Sequence, residues 1–474
     1  MNTFVDSIKT SNKTKTTNGM KAKVSTKNAC VDLFYKAGAM RGENIIPHFT
    51  QALNEDKAIA LKIAMWLRDV RGGAGERQLF RDILSYLEIN DKESAKLLVK
   101  KIPEIGRWDD GIVLQTTELK QMYMGMVKDA LNNQNALCAK WMPRKGAFAV
   151  ELREYLNYTP KFYRKTLVNL SSTVEQQMCA QQWEDIDFGK VPSLSHIRNR
   201  NAFKRHTPTK YADYAQSLTG DNPIGKINAG AIYPHDIVSR LKYEKDEVSI
   251  STLTSQWNAL PNFINGSKIL PIVDVSGSMN CGISGNNINS SMVTCMDVAV
   301  SLGLYVSQKQ QSAFKDVVMT FSESPNLVKL SGELKQKLDK IYTLDWGWMN
   351  TNIEKTFNVL LKFATNNKVK QKDMPEYLLI MSDMQFDQCT TGNDVGVFKM
   401  IEEKFKNHGY TLPKIVFWNL HSYDNVPVKF DKLGTALVSG FSPAILQAVL
   451  SDNLDSFSPI SVMMETLSNP RYEV

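Results

Sequence analysis

The period of the apolar positions divides the chain in two. Between residues 31 and 215 apolar residues recur at helical spacing, and strand-like alternation is scarce. Asp56 to Arg68 sets Ile59, Leu61, Ile63, Ala64, Met65 and Leu67 on one broad face, the pattern of an amphipathic helix packed on a core. Arg71-Gly-Gly-Ala-Gly75 interrupts this period and Glu76 to Leu87 resumes it, which predicts an αα-hairpin. Further helices are predicted around 93–101, 117–132, 147–156 and 160–180. Their succession predicts stacked helix pairs of HEAT-like type, although no fixed repeat length emerges. Residues 216–266 read as a connection: Gly220, Pro223, Gly225, Gly230 and Pro234 mark loops, and a charged run from Lys242 to Glu247 precedes a short helix near 250–259.

From residue 267 the pattern changes. Ile269 to Val273, Val317 to Phe321, Tyr377 to Met381 and Ile415 to Trp418 are short continuous apolar runs, as expected of strands buried on both faces. Amphipathic stretches lie between them: Met292 to Ser307, Glu333 to Ile341, Ile353 to Thr365 and Val395 to Asn407. Alternating strand and helix predict a doubly wound, mostly parallel sheet. The expected fold class is therefore α + α/β: an arm at 1–30, a helical-repeat domain with its connecting segment at 31–266, and an α/β domain at 267–474. Ligands of such sheets bind beyond the carboxyl ends of the strands, at a switch point, and Asp274 and Asp383 stand at two of those ends.

Composition narrows the class. At 474 residues the chain is long enough for two or three domains, each expected to have its own core. No apolar stretch approaches the ~20 residues of a membrane helix, and the polar N-terminus argues against a secretory signal. The six cysteines (Cys30, Cys138, Cys179, Cys281, Cys295, Cys389) are far apart in sequence with no C-x-x-C pair, which predicts free thiols in a reducing, cytoplasmic setting. The net charge of +8 is uneven: 38 Lys/Arg face 28 Asp/Glu before residue 267, and 19 face 21 after it. A basic first half predicts an anionic partner, nucleic acid first. Residues 1–30, with six lysines and the single acid Asp6, read as a flexible basic arm.

Asp274, Ser276 and Ser278 follow the first apolar run at two-residue steps, so one tight turn delivers a carboxylate and two hydroxyls. Hard divalent cations prefer such oxygen ligands. This D-x-S-x-S pattern resembles the first loop of a metal ion-dependent adhesion site in a von Willebrand factor A (vWA) domain. The resemblance implies two further ligands, a threonine on a later loop and an aspartate after a later strand. Thr351 in Trp346-Gly-Trp-Met-Asn-Thr-Asn352 and Asp383 after Tyr377 to Ser382 match them. The implied cofactor is Mg²⁺, or another divalent cation such as Mn²⁺ or Ca²⁺. The implied set is Asp274, Ser276, Ser278, Thr351 and Asp383, with a position left for a partner's acidic group. The chain departs from the family pattern in the Met-Asn-Thr-Asn loop, in the Met-Gln-Phe-Asp turn after Asp383, and in an Asn/Gly insertion from Asn280 to Asn289.

Catalytic readings find little. A phosphotransferase using Asp274 as nucleophile needs an acid two residues on, and Ser276 occupies that position. No H-E-x-x-H, P-loop or G-x-S-x-G motif is present, and the six histidines are scattered. A non-enzymatic protein is expected.

Three basic clusters carry the expected nucleic-acid contact. Lys140, Arg144 and Lys145 stand beside Trp141; Lys161, Arg164 and Lys165 interleave with Phe162 and Tyr163. Arg198, Arg200, Lys204, Arg205 and Lys210 lie in a stretch from His196 to Lys210 that holds no acid. Basic side chains neutralise phosphates and aromatic rings stack on bases; the bland alternative is that the aromatics are core residues below a solvated face. Arg107-Trp108-Asp109-Asp110 reads as structural, an internal ion pair with a packed indole.

A helical-repeat half followed by a vWA-like half resembles the TROVE architecture of the Ro autoantigen and its bacterial relatives. More closely the chain resembles an uncharacterised family of phage, bacterial, fungal and plant proteins with the same two halves. Val70 to Phe80, Ile105 to Asp110, Lys140 to Lys145 and Val191 to Ser195 carry this resemblance. It implies a ring of helical repeats, closed by the vWA domain, that binds small structured or misfolded RNA and single-stranded RNA ends as a ribonucleoprotein. The alternative function is an interaction or structural protein, such as a phage virion component, that binds an acidic partner residue through the metal.

Overall fold

In the computed structural model, residues 12–473 are described apart from 13, 221–222, 265, 284–292, 323, 345–350, 387–396, 422, 424 and 452–455. A short hairpin, β1 (Thr14–Lys15) with β2 (Lys21–Ala22), precedes the helical half. The apolar runs of the second half form the interior strands of a six-stranded sheet. Its strands are β3 (Ile269–Asp274), β4 (Val317–Phe321), β5 (Leu327–Lys329), β6 (Tyr377–Ser382), β7 (Lys414–Asn419) and β8 (Thr435–Ser439), in the order β5-β4-β3-β6-β7-β8. Every neighbouring pair is parallel except β4 with β5. Every residue of β3, β6 and β8 is buried, which is why such strands read as unbroken apolar runs. The chain lays β4 and β5 to one side of β3, then returns to lay β6, β7 and β8 to the other. The winding direction therefore reverses between β3 and β6, and a crevice opens there at the carboxyl ends of the strands.

Helix Cys295–Lys309 covers β3, with twelve of its residues buried. Its Gly303 permits that approach: a Cβ there would lie 2.5 Å from Val273 Cγ2. The fold is thus α + α/β, with the sheet confined to the second half.

In the first half, helices Ala29–Ala37, Ile46–Glu55, Lys57–Arg68, Arg77–Asn90 and Lys92–Ile105 each pack on the next. Asn28, Asp56 and Asp91 cap three of them by accepting from a backbone N–H of the first turn. Helices Thr117–Asn132, Ala136–Trp141, Ala147–Tyr155 and Pro160–Ser171 follow. The continuous helix expected over 160–180 is broken at Ser172, whose φ of +36° is left-handed, and Val174–Cys179 restarts it. Pro234, expected in a loop, begins helix Pro234–Leu241, where a missing N–H costs nothing.

Two expectations are corrected. Separate cores for the two halves do not form among the described residues: one continuous cluster of buried apolar residues runs from Met20 to Tyr472, beside a small satellite around Phe188, Phe203 and Tyr211. Helix Ala29–Ala37, buried on nearly all sides, lies against β8 and joins the halves. There Ser439 Oγ donates to Phe34 O at 2.9 Å and accepts from Gly38 N at 3.1 Å. A Cβ on Gly38 would meet Gly440 N at 2.7 Å, so only glycine fits this seam. The flexible basic arm is also revised. Residues 14–28 are seated on the second half through a bridge between Lys23 and Val426, while residues 1–11 lie outside the described residues. Among the described residues no helix is long and apolar enough to cross a membrane.

The Arg107–Asp110 segment is structural, as expected. Arg107 pairs with Asp109 at 2.5 Å and the Trp108 indole is buried. Asp110, without exposure, accepts from Arg68 Nε at 2.7 Å, Arg81 Nε at 3.0 Å and Arg107 N at 2.9 Å. Arg68 is equally buried. Removing one partner of a buried ion pair strands the other charge. Asp110→Ala is expected to cost about 3–5 kcal/mol, read as a lowered unfolding free energy in urea denaturation followed by tryptophan fluorescence.

Candidate functional site

The crevice between β3 and β6 is floored by two carboxyl groups. Asp274 is the last residue of β3 and Asp383 the first after β6, and both are buried. Asp274 accepts from Ser276 N at 2.9 Å and from Ser382 Oγ at 2.5 Å. Asp383 Oδ1 accepts from Gln385 N at 3.1 Å, whereas its Oδ2 is buried with no hydrogen-bond partner among the described residues. Ser276 and Ser278 stand at the mouth, their hydroxyls 3.0 Å apart. Thr351 is buried and donates to Gln385 O at 2.9 Å, tying the second loop to the third.

The five residues therefore come from three loops around one crevice. The Met-Gln-Phe-Asp turn is explained by Met384, which takes a left-handed φ of +63° where glycine is the usual choice. Its N–H donates to Ser382 Oγ at 3.0 Å, so the turn and the Asp274 contact share one hydroxyl. The N-terminal segment supports the same loop from outside: Thr17 N donates to Gln385 Oε1 at 2.7 Å and Thr16 Oγ1 to Phe386 O at 2.6 Å. Trp346 to Asn350, most of the Asn/Gly insertion, Asp387 and Cys389 lie outside the described residues.

Burial pushes the Asp274 carboxyl up to about 7, helped by the charge of Asp383, and burial also raises Asp383. Two buried carboxylates, one with an unpartnered oxygen, are offset by a cation more readily than by further hydrogen bonds. Asp274, Ser276, Ser278, Thr351 and Asp383 could supply it with oxygen ligands. Among the described residues no three His, Cys, Asp or Glu side chains form a metal-holding group, so hydroxyl and water oxygens would have to complete the shell.

Ser382, Gln385 and the Thr16–Thr17 segment went unpredicted, because each acts across a large sequence separation. So did a thiol pair behind the first loop. Cys281 and Cys295 Sγ lie 3.4 Å apart, although their spacing matches no thiol motif. His421, one of the scattered histidines, lies beside them. The bond to Cys295, together with His421, holds the Cys281 thiol down to about 5.

The basic clusters separate into two situations. Helices Ala136–Trp141 and Pro160–Ser171 are neighbours, and Tyr163 Oη donates to Pro143 O at 3.0 Å. This unites Lys140, Arg144 and Lys145 with Lys161, Arg164 and Lys165. Arg144, Lys145, Lys161, Arg164 and Lys165 are exposed and have no acidic partner among the described residues. Phe162, 53% exposed, projects between them, with its ring edge-on to Tyr158 at 4.7 Å. Tyr163 is a core residue instead, and Trp141 is half-buried beneath the Arg107 guanidinium at 3.7 Å.

The second situation is the acid-free stretch, which meets acids from elsewhere. Arg200 pairs with Glu244 at 2.8 Å and Lys204 with Asp246 at 3.0 Å, both from the charged run before helix Glu247–Asn258. Lys210 bonds Glu184 O. Arg198 and Arg205 remain exposed on helix Ser193–His206.

Comparison with known proteins places these halves beside others of undefined role. Residues 268–466 match a domain of unknown function, DUF7788, and residues 16–105 with 144–267 match another, DUF2828. An uncharacterised protein, L728, of Acanthamoeba polyphaga mimivirus is 29% identical over 95% of this chain and 86% of its own length. Among solved structures, the Ro (RSR) protein of Deinococcus radiodurans aligns over 91% of this chain and 90% of its own, at 14% identity and a TM-score of 0.41.

The buried carboxyl pair has a pH signature. With its pKa near 7 in the folded state and ~3.9 unfolded, Asp274 keeps its proton on folding where the unfolded chain has lost it. The metal-free fold therefore loses stability as pH rises through that window. In EDTA, the melting temperature of the wild type is expected to fall more steeply between about pH 4 and about pH 7 than that of Asp274→Asn, as measured by differential scanning fluorimetry.

Proposed function

We propose that this is a non-enzymatic RNA-binding protein. Its surface around Arg144, Lys145, Lys161, Arg164 and Lys165 holds structured RNA or single-stranded RNA ends, and its β3–β6 crevice holds Mg²⁺ or a similar divalent cation. The observation that carries the RNA reading is that Arg144, Lys145, Lys161, Arg164 and Lys165 are exposed beside exposed Phe162, on neighbouring segments, with no acidic partner among the described residues. Cationic side chains release counterions from phosphates, and an exposed aromatic ring offers a stacking face to an unpaired base. Arg200, Lys204 and Lys210 already have protein partners and contribute less. In the metal reading, Asp274 and Asp383 supply charge, Thr351 and the serines supply neutral oxygens, and the cation screens the repulsion between the carboxylates.

A second reading draws on Ser276 and Ser278, which sit at the exposed mouth of the crevice. A cation held there could take a carboxylate from a protein partner. Filter binding of the intact protein to a small structured RNA over a salt series separates the two. Affinity is expected to fall linearly in log–log form. Lys161→Ala, Arg164→Ala and Lys165→Ala combined should weaken binding roughly tenfold or more and reduce the salt slope by about two. Asp274→Ala should leave RNA affinity unchanged. Absence of binding at low salt would sink the RNA reading.

For the metal, Mg²⁺ is expected to raise the melting temperature of the wild type near pH 8 and to leave that of Asp274→Asn where it was.

A further inference from the structure

We propose that Cys281 and Cys295 form an oxidisable dithiol, a modification site for peroxide-class oxidants that closes a disulfide between the turn after Ser278 and the start of helix Cys295–Lys309. The two sulfurs already lie 3.4 Å apart. The backbone aligns them as well. Gly282 and Thr294 form an antiparallel bridge, flanked by Cys295 N to Cys281 O at 3.0 Å and Ile283 N to Val293 O at 3.1 Å. Residues 281 and 295 therefore face each other directly, at the ~5.5 Å Cα separation typical of such pairs, which lies within the range disulfides span. Closing the sulfurs to about 2.05 Å requires side-chain rotation and no rearrangement of the pairing.

The two thiols are differently placed. Cys281 is partly exposed beside His421, whereas Cys295 is buried with its sulfur 3.3 Å from Leu420 O. Cys281 is the thiol an oxidant reaches, and Cys295 is the one that resolves. The other described cysteines lack this arrangement. Cys30 and Cys138 are buried singly, with burial pushing each up to about 12, and Cys179 is exposed. Cys281 reacts as the thiolate, the nucleophilic form of a thiol.

The chemistry balances with hydrogen peroxide as the oxidant. The Cys281 thiolate attacks one peroxide oxygen, the O–O bond breaks, and hydroxide leaves a sulfenic acid on Cys281. The Cys295 sulfur then attacks the Cys281 sulfur, the S–O bond breaks, and water departs with the thiol proton. Two thiols lose two electrons in total and one peroxide becomes two waters. In a reducing compartment such a bond is transient, as redox-sensing disulfides are.

Brief treatment of the intact protein with hydrogen peroxide, then alkylation under denaturing conditions and digestion without reductant, tests this by mass spectrometry. The expected product is a Cys281–Cys295 cross-linked peptide pair, two hydrogens lighter than the reduced pair and lost on adding dithiothreitol, with Cys30 and Cys138 alkylated. In Cys295→Ser the expected product is a dimedone adduct on Cys281 and no cross-link. The proposal is overturned if wild-type Cys281 and Cys295 both remain alkylatable while Cys179 oxidises. It also fails if Cys281 advances to sulfinic acid without a cross-link, or pairs with Cys389. The wild-type readout decides even if the variant does not fold, and it is independent of any bound cation or RNA.

Discussion

Two carboxyl groups held out of water at the reversal of the sheet set the terms for the structure around them. Burying a carboxylate costs several kcal/mol unless it is compensated, and here two share one crevice. Ser276 N and Ser382 Oγ satisfy Asp274, and Gln385 N satisfies one oxygen of Asp383. The left-handed Met384, the Thr351 hydroxyl and the N-terminal Thr16–Thr17 segment all serve to place the 383–386 loop that makes these bonds. One oxygen of Asp383 is left without a hydrogen-bond partner among the described residues, as is Nδ1 of His421.

The second constraint is the joint between the halves. Helix Ala29–Ala37 lies against β8, and the Ser439 hydroxyl bonds Phe34 O and Gly38 N there. The C-terminal residues reinforce the joint from the other direction. Arg471 and Tyr472 converge on buried Asp69, at 2.8 and 3.0 Å, in the helical half. The two halves share one core because each supplies the other with a missing wall.

Much of this was legible and some was not, for reasons that can be located in residues. Ile269 to Val273 and Tyr377 to Met381 announced themselves because strands covered on both faces are apolar throughout. Helix Ala29–Ala37 did not, because a helix buried on nearly every side loses the one-faced period that identifies helices. The short β5 and the hairpin are too brief to leave a pattern. In the site, Asp274, Ser276 and Ser278 are neighbours in the chain and were readable as a unit. Ser382, Gln385 and Cys281 with Cys295 acquire their roles only from partners on other elements. The acid-free stretch at 196–210 misled for the same reason: Glu244 and Asp246 lie more than forty residues on, yet face Arg200 and Lys204 in space.

Features written over a few consecutive residues were therefore settled by local order: most of the helices and interior strands, the Asp274–Ser278 turn, and the charge imbalance of the two halves. Local order suffices there because side-chain period and turn chemistry act between near neighbours. Which charges stay free, which thiols meet, and whether two carboxyl groups share one dry crevice were decided by packing. Those properties depend on distance and dielectric between groups far apart in the chain, and only the closed fold sets either.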